Sequence, residues 1–263
     1  MKLCRFVEPE QTRARFGLVE GAQVYALPED FSFARMESVA GARGSQPFAL
    51  DAVRLLAPVT PSKVVCIGRN YRDHAAELGN PMPPEPLLFL KPPSAVVGHE
   101  DVIELPRQSA RVEYEGELGV VIGRRARRLS ETDDPLSYVF GYTCVNDVTA
   151  RDLQRQDVQF TRAKSFDTFC PVGPFVVDGI DPLDVNVQTR LDGEVRQNAR
   201  TSVMAFPVPF LIRYISHIMT LEPGDLISTG TPAGVGAMQD GQTVEVEVEG
   251  IGILRNAVRA SAE

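Results

Sequence analysis

The sequence predicts a mostly β chain of the α+β class, with a small β-rich N-terminal domain over residues 1–55 and a larger domain over 56–263. Three observations predict it. Glycine and proline, 21 and 20 of the 263 residues, cut the chain into short segments. Most of those segments alternate apolar and polar residues, the two-residue period of a half-buried strand. Helical spacing is confined to a few stretches, and the length suits one large domain joined to a small one.

The elements follow in order. LCRFV, RFGLVE and QVYAL are short alternating strands separated by polar turns, and a linker is expected near residues 42–62. From VVCIG at 64–68 onward, strands are expected at LLFLK, ELGVVIG, YVFGYTCVND, PVGPFVV, VQTRLDGEVRQ and TVEVEVEG. Asp192-Gly193 between two alternating runs is a hairpin signal, because both residues tolerate positive φ. Helices are expected at NYRDHAAELG, ARDLQRQDV and PVPFLIRYISHIM, the last stopped by LEPGD.

Composition excludes several roles. A net charge of −8 and a pI near 5.1 argue against nucleic acid, and RRARR at 124–128 reads as a solvated turn. No window approaches the eighteen or so apolar residues of a membrane span. MKLCRFVEPEQ lacks the features of a signal peptide, so a cytoplasmic protein is expected. Cys4, Cys66, Cys144 and Cys170 are widely spaced in apolar surroundings and read as buried thiols.

RVEYEGELGVVIG, residues 111–123, places Glu113, Glu115 and Glu117 at every second position and then becomes apolar on both faces. TVEVEVEG is the internal contrast: there Glu245, Glu247 and Glu249 simply form the wet face of a half-buried strand. Carboxylates at the entrance of a core repel one another unless positive charge sits between them, and a hard divalent cation is an economical source of it. Asp147, at the end of the apolar strand YTCVND, is a further oxygen donor, although Asp147 or Thr149 can equally cap the helix that follows.

Of three histidines, His217 lies on the long helix and His99 on a turn. His74 has Glu77 three residues later, one helical turn away. A carboxylate on one imidazole nitrogen leaves the other able to take a proton from water, although such pairs are also ordinary surface features.

GRNYRDHAAELG, LFLKPPSAVVG, YEGELGVVIG, GYTCVNDVTARD, AKSFDTFCPVGP and LEPGDLISTGTPAGVG together resemble the fumarylacetoacetate hydrolase family, in that family's order, over roughly residues 63–255. The resemblance implies a mixed β-sandwich roll, a homodimer, and Mg²⁺, Mn²⁺ or sometimes Ca²⁺ held by Glu115, Glu117 and Asp147. It implies His74 and Glu77 as the water-activating pair, on a segment that orders over the substrate, and Lys164 as a catalytic cation. Glu113 falls outside the family's ligand pair. Substrate contacts are implied at Gln154 and Thr231, with Arg69, Tyr71, Lys91 and Gly230 beside them. The implied substrate is a small anionic 2-oxo or 2,4-diketo acid of the acylpyruvate kind. The resemblance implies the same site for acylpyruvate hydrolases and, as the alternative, for decarboxylases or isomerases of 2-oxo-hept-3-ene-1,7-dioate-type diacids in aromatic catabolism, and an inert metal- or ligand-binding member is a further alternative. Retention of both His74 and Glu77 favours C–C bond hydrolysis. STGTPAGVG lacks the Gly-Lys-Ser/Thr ending of a nucleotide loop, but its amides can grip a carboxylate.

Overall fold

The computed structural model of the chain describes residues 1–8, 10–34, 44 and 46–261. Its centre is a 12-stranded mixed sheet in which Cys170–Val177, Val139–Asn146 and Gly116–Ile122 lie side by side and antiparallel, followed by Leu226–Ser228, Val64–Gly68 and Leu87–Lys91. Every residue of the first three is buried, because other elements cover both faces of these strands. That is why they read as continuous apolar runs.

A five-stranded sheet packs on one face. Its strands run in the order Glu194–Arg200, Asn186–Leu191, Thr243–Val248, Gly252–Ala260, Val102–Leu105. Leu118, Val120 and Ile122 of the central sheet share one core cluster with Val187, Val246 and Leu254 of this layer. On the other face Val121, Phe140 and Val172 pack with Leu3, Phe33 and Cys66. Asp192 (φ 51°) and Gly193 (φ 80°) both take the left-handed conformation that the hairpin turn requires. The chain has the β-sandwich roll that its motifs implied.

Among the described residues the α-helices are short and few: α1 (Arg72–Glu77), α2 (Arg151–Gln156), α3 (Thr161–Lys164) and α4 (Val208–Ile218). Only α4 is long enough to bury a full apolar stripe, through Val208, Leu211, Ile212 and Ile215. Among the described residues no helix is long and apolar enough to cross a membrane. All four cysteines are buried free thiols.

The N-terminal strands Lys2–Val7, Ala14–Glu20, Gln23–Ala26, Pro47–Ala49 and Arg54–Leu56 extend the central sheet, with Lys2 and Leu3 pairing to Val177 and Val176. The expected linker is therefore partly structured. Residues 42, 43 and 45 of it lie outside the described residues, but Pro47–Ala49 and Arg54–Leu56 are paired strands. Their three-residue length hid them among prolines and polar residues.

The acidic stretch is not one strand. Val112–Tyr114 belongs to a small sheet with Thr149–Ala150 and Gly236–Ala237, whereas Gly116–Ile122 belongs to the central sheet, so the chain changes sheets at Glu115. Gly116 makes the step fit. A Cβ there would meet Thr189 Oγ1 at 2.0 Å and Val246 at 3.2 Å, and its N–H donates to Gln197 Oε1 at 2.9 Å. Gly116→Ala is therefore expected to destabilise the fold by roughly 1–3 kcal/mol through overpacking, measured as a lowered denaturant midpoint at unchanged m. The same variant should bind divalent ions more weakly, because Glu115 and Glu117 flank the shifted residue.

Candidate metal centre and active-site cavity

The central strands deliver three carboxylates to one point. Glu115 enters the Gly116–Ile122 strand, Glu117 lies within it, and Asp147 follows the neighbouring Val139–Asn146 strand. Backbone bonds lock the first and last together: Asp147 N–H donates to Glu115 O at 2.8 Å, and Glu115 N–H donates to Asn146 Oδ1 at 2.9 Å. The carboxylate oxygens of Glu115, Glu117 and Asp147 lie within 4.8 Å of one another, and all three residues are buried. Neither Asp147 nor Thr149 caps α2. The cap position is Ala150, without a side-chain bond, and Thr149 Oγ1 donates back to Asp147 O at 2.9 Å.

Part of the positive charge that this cluster requires comes from the chain itself. Lys164 Nζ donates to Glu115 Oε2 at 2.8 Å and to Asp147 Oδ2 at 2.6 Å. Arg151, only 2% exposed, bonds Glu113 Oε2 at 2.6 Å through Nε and Glu115 Oε1 through Nη2. Glu113 thus anchors Arg151, aided by Arg111 from the strand's solvent end. From its sequence position Arg151 merely opens a helix. Glu113 and Glu115, two like charges converging at a core, were the signal that a buried cation faced them.

These contacts set the protonation states. Burial pushes the Glu115 carboxyl up, but Lys164, Arg151 and His74 outweigh it and hold it well below the usual carboxylate range. Burial works against the Lys164 ammonium, yet Asp147 and Glu115 outweigh that and raise its pKa. Glu117 has the opposite balance. Burial first, then Asp147 and Glu115, push its carboxyl well up, against bonds on Oε2 from Ser228 Oγ at 2.5 Å and Gly230 N–H at 2.7 Å. Asp147 Oδ1 lies 2.6 Å from the Lys91 ammonium but outside hydrogen-bonding geometry, a buried acceptor without a hydrogen-bond partner.

Three carboxylates on rigid strands, one of them favoured in its ionised form only by added positive charge and one with an orphan oxygen, fit a hard divalent cation. The donor set has no sulfur or imidazole that would favour a softer ion.

The trio lies in the wall of a cavity of about 190 Å³. Arg69, His74, Gln154, Lys164 and Thr231 also line it. Lys91 does not line it: its ammonium lies behind Asp147 and donates to Val148 O at 3.0 Å and Lys164 O at 2.7 Å, so it orients the acid instead of facing the cavity. Tyr71 caps α1 with its hydroxyl buried and without a hydrogen-bond partner, and it lines a neighbouring hollow with Asn198 and Pro232. Gly230 takes φ 98°, and a Cβ there would meet Asn70 Cβ at 2.7 Å. Thr231 Oγ1 donates to Gly116 O at 2.9 Å and accepts from Gln197 Nε2 at 2.7 Å.

His74 is buried, and its Nδ1 has no hydrogen bond. Glu77 Oε2 stands 3.7 Å from that atom, beyond bonding distance, and both Glu77 oxygens instead accept from Gly234 N–H at 3.1–3.2 Å. Burial lowers the imidazole pKa, Glu115 opposes the shift, and Arg151 and Lys164 reinforce it. Asn70, unremarked in the sequence, fixes the turn before α1. Its amide donates to Thr229 O at 2.7 Å and Phe206 O at 3.0 Å, and its Oδ1 accepts from Phe206 N–H at 2.8 Å.

Comparison with known proteins agrees with this geometry. Residues 63–259 match the family described as fumarylacetoacetate (FAA) hydrolase C-terminal, and residues 1–58 match the Rv2993c-like N-terminal family. Over 230 residues the chain is 44% identical to the oxaloacetate tautomerase YisK of Bacillus subtilis, spanning 82% of this chain and 76% of that protein. A crystal structure of 2-hydroxyhepta-2,4-diene-1,7-dioate isomerase from Mycobacterium marinum superposes with a TM-score of 0.88 at 42% identity, covering 100% of both chains. Maleylpyruvate hydrolase from Sphingobium sp. SYK-6, solved with manganese(II) and pyruvate, superposes at a TM-score of 0.81 and 29% identity, over 99% of this chain and 100% of that one. With the motif order, the sandwich roll and the buried acidic trio in agreement, the chain belongs to the fumarylacetoacetate hydrolase family.

Proposed function

We propose that the chain is a divalent-metal-dependent enzyme that moves a proton at the carbon beside the ketone of a small 2-oxo acid, interconverting keto and enol forms or shifting a double bond. The observation that carries this reading is the placement of His74: a buried imidazole, its pKa lowered by burial, lining the same cavity as the acidic trio and not hydrogen-bonded to Glu77. A neutral imidazole suffices to take a proton from carbon once the ketone is polarised. Deprotonating water for hydrolysis asks for a stronger base, one whose imidazole is bonded to a carboxylate.

A divalent cation held by Glu115, Glu117 and Asp147 would act as a Lewis acid on the substrate's carboxylate and 2-oxo oxygens, which acidifies the neighbouring C–H bond. His74 takes that proton from C3 and returns it. Arg151 fixes Gln154, donating to its Oε1 at 2.6 Å, so that the amide is oriented beside the acid. Lys164 holds two of the ligands and keeps its own proton. The tautomerase and the isomerase, at 44% and 42% identity, support proton transfer as the chemistry.

C–C bond hydrolysis of an acylpyruvate is the second reading. It is favoured by Glu77 Oε2, which needs to close only from 3.7 Å to pair with His74. One assay separates the two. Purified protein with Mg²⁺ or Mn²⁺ is given oxaloacetate and acetylpyruvate, and the enol absorbance, pyruvate formation and CO₂ release are followed with and without EDTA. Proton transfer predicts enol–keto interconversion that EDTA abolishes, without new carbon products. Chelator-sensitive formation of pyruvate and acetate would make the enzyme a hydrolase, and CO₂ release a decarboxylase.

Three outcomes follow for the residues. His74→Gln should lower kcat by roughly 10²–10⁴-fold while leaving the affinity for Mn²⁺, measured by titration, unchanged. Because the imidazole pKa lies below its ordinary 6.5, kcat/KM should be flat above pH 7 and fall only as the pH drops below 6.5. Glu117→Gln should weaken Mn²⁺ binding and lower the gain in melting temperature that the ion gives the wild type.

A further inference from the structure

Two cations in the cavity wall have no work in the scheme above. Arg69 and Arg155 both line the cavity, and among the described residues neither guanidinium has a hydrogen bond or an ion pair. Arg151 and Lys164, by contrast, are fully committed to Glu113, Glu115 and Asp147.

The placement of both free arginines is built into the fold. Arg151, Gln154 and Arg155 stand at i, i+3 and i+4 on α2, so they share one helix face. Along that face the side chains pass from buried Arg151 through half-buried Gln154 to exposed Arg155, from the carboxylate floor towards the mouth. Arg69 comes from a different element, following the Val64–Gly68 strand, with φ 56°. A non-glycine residue in that conformation is held there by its surroundings. The three bonds of neighbouring Asn70 supply the restraint.

Charge complementarity points the same way. Arg69, Arg151, Arg155 and Lys164 face Glu115, Glu117 and Asp147 around the cavity, so a divalent cation on the trio leaves the wall strongly positive. A monocarboxylic 2-oxo acid would place its single charge at the floor and leave both outer arginines unmatched. Phe89 and Phe160, in edge contact with ring centroids 5.7 Å apart, give the cavity wall apolar surface suited to a short carbon spacer. The cavity, about 190 Å³, lies below the roughly 300–1,000 Å³ of pockets for drug-sized ligands, which limits the spacer to a few carbons.

We infer that Arg155, with Arg69, forms a subsite for the carboxylate remote from the metal, and that Arg155 selects short dicarboxylic 2-oxo acids over monocarboxylic ones. The inference rests on the proposed function for the orientation of the substrate. Arginine suits the task because its planar fork grips a carboxylate through two parallel bonds.

The test is calorimetric titration of Mn²⁺-loaded protein with pyruvate, which offers only the metal-binding end, and with 2-oxoglutarate and 2-oxoadipate, which add a second carboxylate. Wild-type protein should bind at least one diacid about tenfold or more tightly than pyruvate. Arg155→Gln should remove that advantage, roughly 10-fold or more, and leave pyruvate unchanged. Arg155→Lys should recover part of it. Equal losses for pyruvate and the diacids, or no loss for either, would overturn the assignment. Wild-type turnover of oxaloacetate, followed in parallel, judges the proposed function separately: selective diacid binding without turnover keeps the subsite and removes the enzyme reading. Failure of the wild type to bind either diacid more tightly than pyruvate overturns the subsite, whatever the outcome with oxaloacetate.

Discussion

The structure depends on neutralising carboxylates that the core strands carry inward. Glu113, Glu115, Glu117 and Asp147 are each at most 4% exposed, and no fold tolerates so much buried negative charge unpaired. Lys164 and Arg151 join the Glu115 end of one strand, the Asp147 end of its neighbour and the small sheet that holds Glu113. Removing one partner of a buried pair of this kind costs about 3–5 kcal/mol, because the other charge stays behind. α2 and α3, too short to be stable alone, are thereby fixed against the sheet by the ion pairs they contribute.

The same network balances the three acids unevenly. Glu115 and Asp147 are bonded directly to protein cations, whereas among the described residues Glu117 accepts hydrogen bonds from Ser228 and Gly230 and has no direct ion pair. On the proposed reading, a divalent ion held by the trio would compensate the cluster from one side, and its charge would then face the cavity where an acid substrate would meet it.

Much of this was legible in the sequence. The alternation of Glu113, Glu115 and Glu117 ahead of LGVVIG raised the question of buried charge, and the strand runs, the hairpin at Asp192-Gly193 and the helix over Val208–Ile218 lie where their patterns put them. What was hidden was hidden for physical reasons. The switch of sheets at Glu115 leaves no local signature except a glycine, because the cause is a contact with Thr189 and Val246, far along the chain. Arg151 and Lys91 carry ordinary surface composition, and only the tertiary fold shows that they are buried against acids. The pairing of His74 with Glu77 follows from helical spacing alone, yet Glu77 is drawn away by the Gly234 amide, a partner 157 residues distant.

Behind the lock between Asp147 N–H and Glu115 O, the cavity has a floor and a wall of different kinds. The floor is continuous with strands buried on both faces, so its residues answer to the stability of the whole sheet. The wall, with Arg69, Asn80, Gln154 and Arg155, is made of half-buried or exposed side chains on turns and a short helix. Substitutions there cost little folding energy. Selection can therefore change which acid is accepted without drawing on the stability margin that constrains the floor. A fold divided this way is expected to vary at the wall while its buried acidic floor stays fixed.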